Sequence, residues 1–185
     1  SKGDICVFVD SDTLFFSDVC PLVKAMGNKS VFLTPHLLGS SSCDAEHEVM
    51  IHGWINTGFS AFRCDGEGVK TVLEWLMDRI SRRAFLAPNL GLSGDQTWAS
   101  AIPILFKDKV HISQDPGLNV AYWNIAKRPL VKMKSGSYFA REEPLVMFHF
   151  SGFDKSNPDL LSKHSSIAVE PGSPLSEIWR QYKNK

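Results

Sequence analysis

The sequence predicts an α/β fold, a sheet covered by helices on both faces, on the strength of three stretches. Ile5-Cys-Val-Phe-Val9 is an unbroken apolar run with three β-branched residues. Such a run fits a strand buried on both faces, as in a parallel sheet covered by helices. Leu145-Val-Met-Phe-His-Phe150 reads as a second buried strand. Between them, Gly68 to Arg83 sets Val69, Val72, Leu73, Leu76, Met77 and Ile80 at helical spacing, one apolar stripe to lie on a sheet. With 185 residues, 43% of them apolar, the chain can bury the core of one domain, or of the larger part of one.

The first strand ends in Asp10-Ser-Asp12. An unpaired charge inside a core is too costly, so both carboxylates must emerge at the strand's carboxyl end, where open α/β sheets place their ligands. Two hard oxygen ligands one residue apart suit a divalent cation that keeps waters and holds phosphates. A turn with capping aspartates is the alternative. The Leu14-Phe15-Phe16 that follows encloses the pair more tightly than a polar turn requires.

Twenty basic and twenty acidic side chains cancel, so no global field favours nucleic acid or an anionic membrane, and phosphate recognition must be local. Cys6, in the expected central strand, Cys20, Cys43 and Cys64 have no metal-ligand spacing and read as reduced thiols of a cytosolic protein. No apolar run approaches the roughly 18 residues that span a bilayer. The expected location is the cytoplasm, unless a targeting signal precedes Ser1, since the sequence starts without Met and reads as a fragment.

The remaining elements follow in order. Ser17 is placed to cap a helix from Asp18 to Met26, with Gly27 as its stop. Ser30 to Leu33 reads as a strand ending at Thr34-Pro-His36, and Gly39 to His47, with three consecutive serines, as a loop. His36, His47 and His52 fit no zinc spacing and read as loop or surface residues. Gly53 to Phe62 holds a strand kinked at Asn56-Thr-Gly58, where the glycine allows a bulge or the close approach of a ligand. Arg79, Arg82 and Arg83 fall at a helix C-terminus and read as solvated. Ser93 is placed to cap the next helix, with Asp95 and Gln96 in its first turn, Trp98, Ile102 and Leu105 facing inward, and Pro103 ending or kinking it.

Val110 to Ser113 is a short strand and Asp115-Pro-Gly117 a turn. Leu118 to Asn124 holds two aromatics and two amides, a mixture that suits stacking on a sugar ring or, equally, buried aromatics with satisfied polar tips. His149 is either a hydrogen-bonded core residue or a ligand. Pro171 to Lys185 is a terminal helix started by Ser173 and Pro174, docking through Leu175, Ile178, Trp179 and Tyr182. The sequence shows no internal repeat and no linker, so residues 1–185 are expected to form a single domain.

Four stretches in this order resemble the GT-A glycosyltransferases, most closely the retaining family of glycogenin and the lipopolysaccharide galactosyltransferases. They are Phe8-Val-Asp-Ser-Asp12, Ile55-Asn-Thr-Gly58, Gly94-Asp-Gln96 and His149-Phe-Ser-Gly-Phe-Asp-Lys155. The resemblance implies a GT-A-like mixed sheet lacking the N-terminal nucleotide-binding strands, since only nine residues precede Asp10. It implies that Asp10, Asp12 and His149 hold Mn²⁺ or Mg²⁺, and that Gly152 and Lys155 meet the donor's diphosphate. Asn56, Gly58, Asp95 and Gln96 then surround the donor sugar. Thr97 stands where the family usually has a second Asp after Gln, and Ser156-Asn157 stand where it has Pro-Trp.

The implied activity is metal-dependent transfer of a sugar from a nucleoside diphosphate to the hydroxyl of a glycan or other acceptor. Gln96 lies near the reacting carbon, and because an amide is a poor nucleophile, attack on the leaving-group side with retention is expected. Acceptor choice is assigned to the loops Gly39 to His47 and Pro116 to Asn124. The exposed sheet edge allows an oligomer. Two other readings stay open. A haloacid-dehalogenase-type phosphohydrolase also ends a strand in D-x-D, although Thr13 follows Asp10 by three residues where that family has four. A non-catalytic carbohydrate-binding or degenerate transferase module needs neither metal nor base pocket.

Overall fold

The computed structural model describes residues 3–157 and 159–184. In chain order its first elements are β1 (Ile5–Val9), β2 (Thr13–Phe15), α1 (Cys20–Lys24), β3 (Val31–Pro35), α2 (Cys43–His52), β4 (Ile55–Arg63) and α3 (Glu67–Arg83). Then come β5 (Leu86–Ala87), β6 (Leu92–Ser93), α4 (Asp95–Ala99), α5 (Ile102–Leu105) and β7 (Val110–Ile112). The last are β8 (Leu130–Lys132), β9 (Tyr138–Ala140), β10 (Glu143–Pro144), β11 (Met147–His149) and α6 (Pro174–Lys183). Two compact units divide them, one running to Asp10 and resuming from Val19 to Gln114, the other made of Ser11–Asp18 and the chain from Asp115 onward.

The first unit carries a four-stranded mixed sheet in the order β1-β4-β3-β7. β1 and β3 each pair antiparallel with β4, while β3 and β7 run parallel. β3 is buried at every position, as its Val-Phe-Leu run requires. Val31 and Leu33 pack with Ile55, Val72, Ala99 and Ile102 into one core. The β3–β4 register shifts between Leu33 and Thr34, whose partners are Ser60 and Asn56, so Thr57 to Phe59 bulge from β4 and the expected kink is present.

The reading of β1 as a central strand buried on both faces is corrected. It stands at the edge of this sheet, antiparallel to its neighbour, and its central residues Cys6, Val7 and Phe8 are exposed, Phe8 by 53%. Apolarity measures what a residue gains from cover, whereas burial depends on which elements are there to supply it. On α3 the stripe is real at Val69 and Val72, but Met77 is 68% exposed. Its arginines lie near solvent, Arg82 paired with Asp78 at 2.9 Å and Arg79 over the Trp75 ring.

Three helix starts also differ. α1 begins at Cys20 after Val19, and the Ser17 hydroxyl instead donates to the Leu145 carbonyl. The stretch read as a loop from Gly39 to His47 supplies the first half of α2, capped by Ser42, whose Oγ accepts from Ala45 N. Only Val49 of α2 is buried, so the apolar period that marks a helix is nearly absent. α4 starts after Gly94, at φ +60°, with no side-chain cap, because the Ser93 hydroxyl bonds Ile51 O and His52. Pro103 lies in the first turn of α5, where its missing N–H costs nothing, and Leu105 is exposed rather than inward.

In the second unit β11 pairs antiparallel with β2, setting His149 opposite Thr13, and β8, β9 and β10 form a small meander. Phe148, Phe150, Leu161, Ile178 and Trp179 form its core, with Leu175 and Tyr182 packed against them, so the expected face of the terminal helix does dock. Ser173 caps that helix by accepting from Ser176 N. Of its predicted span, Lys185 lies outside the described residues. Asp115 Oδ1 accepts from Gly117 N at 2.8 Å, closing the predicted turn. Among the described residues no helix is long and apolar enough to cross a membrane.

Candidate metal centre

The D-x-D turn leads straight into β2, and the β2–β11 register then fixes what faces it. Phe150 N donates to Asp12 O at 2.7 Å, which seats the end of β11 against the turn. The His149 ring is 4% exposed, and its Nε2 lies 3.1 Å from Asp12 Oδ1. Its Nδ1 lies 3.0 Å from Asn119 Oδ1. Trp123 meets the imidazole edge to face at 5.3 Å. The Asp12 carboxyl is held below the ordinary carboxylate range, chiefly by its hydrogen bond to His149 and against the opposing effect of partial burial.

Asp10 N donates to Gly58 O at 3.0 Å, continuing the β1–β4 ladder onto the Asn-Thr-Gly bulge. One ligand atom from each of Asp10, Asp12 and His149 lies within 4.8 Å of the others. Two carboxylate oxygens and an imidazole nitrogen, with the ring's far nitrogen held by an amide, form a donor set that fits a divalent metal ion.

The other residues named from the sequence fall into separate settings. In the first unit, Asn56 is buried and donates from Nδ2 to Gln96 Oε1 at 3.0 Å, with His36 Nε2 at 3.2 Å. Gln96 Oε1 also lies 3.4 Å from Thr57 N, and its Nε2 donates to His52 O. Gly58 N donates to Asn56 Oδ1, so one amide chain ties the start of α4 to the bulge in β4. Asp95 is exposed beside it in the first turn of α4. His36 is thus 5% exposed against Asn56 rather than on the surface, because its strand ends inside the sheet.

In the second unit Gly152 has φ +72°, and its carbonyl accepts from Lys163 N. A Cβ there would collide with the Ser162 hydroxyl and the His164 ring. Lys155 is exposed in the turn that follows. Of the stretch Pro116 to Asn124, expected to choose the acceptor, Leu118, Asn119, Val120 and Ala121 have no exposed surface, while Tyr122 and Trp123 are half-buried. Asn124 Oδ1 accepts from Ala121 N and its Nδ2 donates to Asn119 O, so both amides are turned inward. Sequence reasoning thus missed Asn119 as a partner of His149. Its signal was an amide flanked by Leu, Val and Ala, a setting in which a polar side chain must be satisfied internally.

No protein-family model matches the chain. Over 149 residues it is 31% identical to YfnD of Bacillus subtilis (strain 168), described as uncharacterized; the match covers 78% of this chain and 45% of YfnD. The fold is similar to that of the glycosyltransferase GlyE of Streptococcus pneumoniae TIGR4, at TM-score 0.54 and 18% identity, over 100% of this chain and 40% of GlyE. The chain therefore spans less than half the length of YfnD and of GlyE. The structural likeness shows a mixed α/β glycosyltransferase-like fold.

Proposed function

We propose that the protein is a metal-dependent glycosyltransferase that moves a sugar from a nucleoside diphosphate to an acceptor hydroxyl with retained configuration. The observation that carries this reading is the Asp12–His149 pair at 3.1 Å with Asp10 alongside, on a fold like that of a glycosyltransferase. Asp10, Asp12 and His149 would hold a Mn²⁺ or Mg²⁺ ion, which would supply Lewis-acid stabilisation to the diphosphate leaving group.

The chain's own residues supply binding and orientation. Lys155, exposed in the turn after Gly152, brings a positive charge to the diphosphate. Asp95 and Asn56 bond the sugar hydroxyls, and Gly58 leaves room for the ring. Gln96 turns a side-chain oxygen toward the reacting carbon, an oxygen that Asn56 and Thr57 already orient. An amide does not form a stable glycosyl ester, so the acceptor attacks on the leaving-group side.

The test is release of nucleoside diphosphate by the full-length protein from a panel of nucleotide sugars, with and without Mn²⁺. Asp12→Ala and His149→Ala are each expected to lose about 10²-fold or more in metal-dependent turnover. Undiminished turnover in both rejects the site. Hydrolysis of a generic aryl phosphate is expected to be absent, and its presence would favour the phosphohydrolase.

A further inference from the structure

We infer that Asn119 is the positioning residue of this centre, the side chain that decides which nitrogen of His149 faces the carboxylates. The inference rests on the reading of Asp10, Asp12 and His149 as metal ligands. An amide oxygen only accepts, so at 3.0 Å from Asn119 Oδ1 the Nδ1 of His149 must carry its hydrogen. That bond turns Nε2 toward Asp12, to whose Oδ1 it donates at 3.1 Å in the metal-free ring, and an ion held there would take the place of that hydrogen. Imidazole ligands whose far nitrogen is bonded in this way are fixed in tautomer and in ring plane.

Asn119 is itself built in from three sides. Its φ of +57° is left-handed, a conformation that asparagine tolerates better than most residues and that surrounding structure must hold. Asn124 Nδ2 donates to its carbonyl at 3.0 Å, and Arg128 Nη1 donates to the preceding carbonyl, Leu118 O, at 2.8 Å. On its other side Val120 is threaded onto β11: Val120 N donates to Met147 O at 3.0 Å and His149 N to Val120 O at 2.8 Å. The loop holding Asn119 and the strand holding His149 are thus locked in register by two backbone bonds of Val120, the residue after Asn119, one to Met147 and one to His149 itself.

Two measurements on the full-length protein separate this inference from the function it rests on. The first needs no metal: nitrogen-detected NMR of the His149 ring is expected to show the hydrogen on Nδ1, and Asn119→Ala to lose that state. A ring protonated on Nε2 alone in the wild type would overturn the inference. The second is Mn²⁺ affinity by electron paramagnetic resonance. Asn119→Ala is expected to bind about 10- to 100-fold more weakly, and Asn119→Asp, which keeps the acceptor, to recover most of that loss. Equal affinity in Asn119→Ala, or equal loss in both variants at matched melting temperature, would overturn it. Wild-type protein with hydrogen on Nδ1 but no Mn²⁺ binding supports the tautomer assignment and rejects the metal reading instead.

Discussion

Gly152 separates two explanations of a single residue. The sequence motif makes it a place where phosphate comes close to the backbone, while the structure gives it a structural reason to be glycine. At φ +72° any other side chain is strained, and here a Cβ would also press on Ser162 and His164. Gly152→Ala is therefore expected to cost about 2 kcal/mol or more of stability with no ligand present, measured by urea unfolding. An unfolding midpoint equal to wild type would leave ligand approach as the only reason for the glycine. The contrast with Asn119 shows what single residues disclose. Asp10 and Asp12 were legible as carboxylates at a strand end. His149, on its own either a core residue or a ligand, was joined to them only through the family resemblance, and the structure brings the three together. Asn119 was not legible, since its role depends on a register between distant segments, and its neighbours pointed equally to a sugar platform.

Among the elements, the terminal helix was the most legible, because α6 announces itself by a serine cap, a proline in its first turn and one apolar face. α2 was the least, because its polar composition hides a cap that only the backbone reveals. The docking of α6 also has an electrostatic component that the apolar pattern leaves out. Glu177 accepts from Lys132 Nζ at 2.5 Å and from the Tyr138 hydroxyl at 2.7 Å. Lys132 first, and Tyr138 second, hold the Glu177 carboxyl below its ordinary value, and Glu177 in turn raises Lys132. A carboxylate whose folded-state pKa lies below its unfolded one adds stability above the unfolded value of about 4.3. That stability is lost as pH falls through the folded value. The lysine's contribution is present below its unfolded value of about 10.4 and lost as pH rises through the raised one. Glu177→Gln is expected to melt lower than wild type at pH 7 and to lose less on going from pH 5 to pH 3. Parallel acid limbs in the two melting profiles would show that Glu177 does not couple α6 to pH.

At the scale of the whole molecule the fold class was legible and the topology was not. Apolar runs gave α/β layering, but neither pairing direction nor strand order is written in composition, and so β1 was expected at the centre when it stands at an edge. That edge has a consequence for the chain in solution. A strand exposing Val7 and Phe8 at the edge of the described sheet is a template for pairing with another strand. Twenty positive and twenty negative side chains leave no net charge at pH 7 to keep copies apart. Both facts point to concentration-dependent self-association that is strongest near neutral pH. Val7→Lys puts a charge on an edge-strand residue that is 38% exposed, which is how natural edge strands are blunted. Sedimentation velocity over a concentration series at pH 7 is expected to show association in the wild type, less of it at pH 9, and little in Val7→Lys at unchanged melting temperature. Association that survives the lysine unchanged would place the contact elsewhere, and a wild type that stays monomeric at every concentration would show that the β1 edge is not sticky enough to matter.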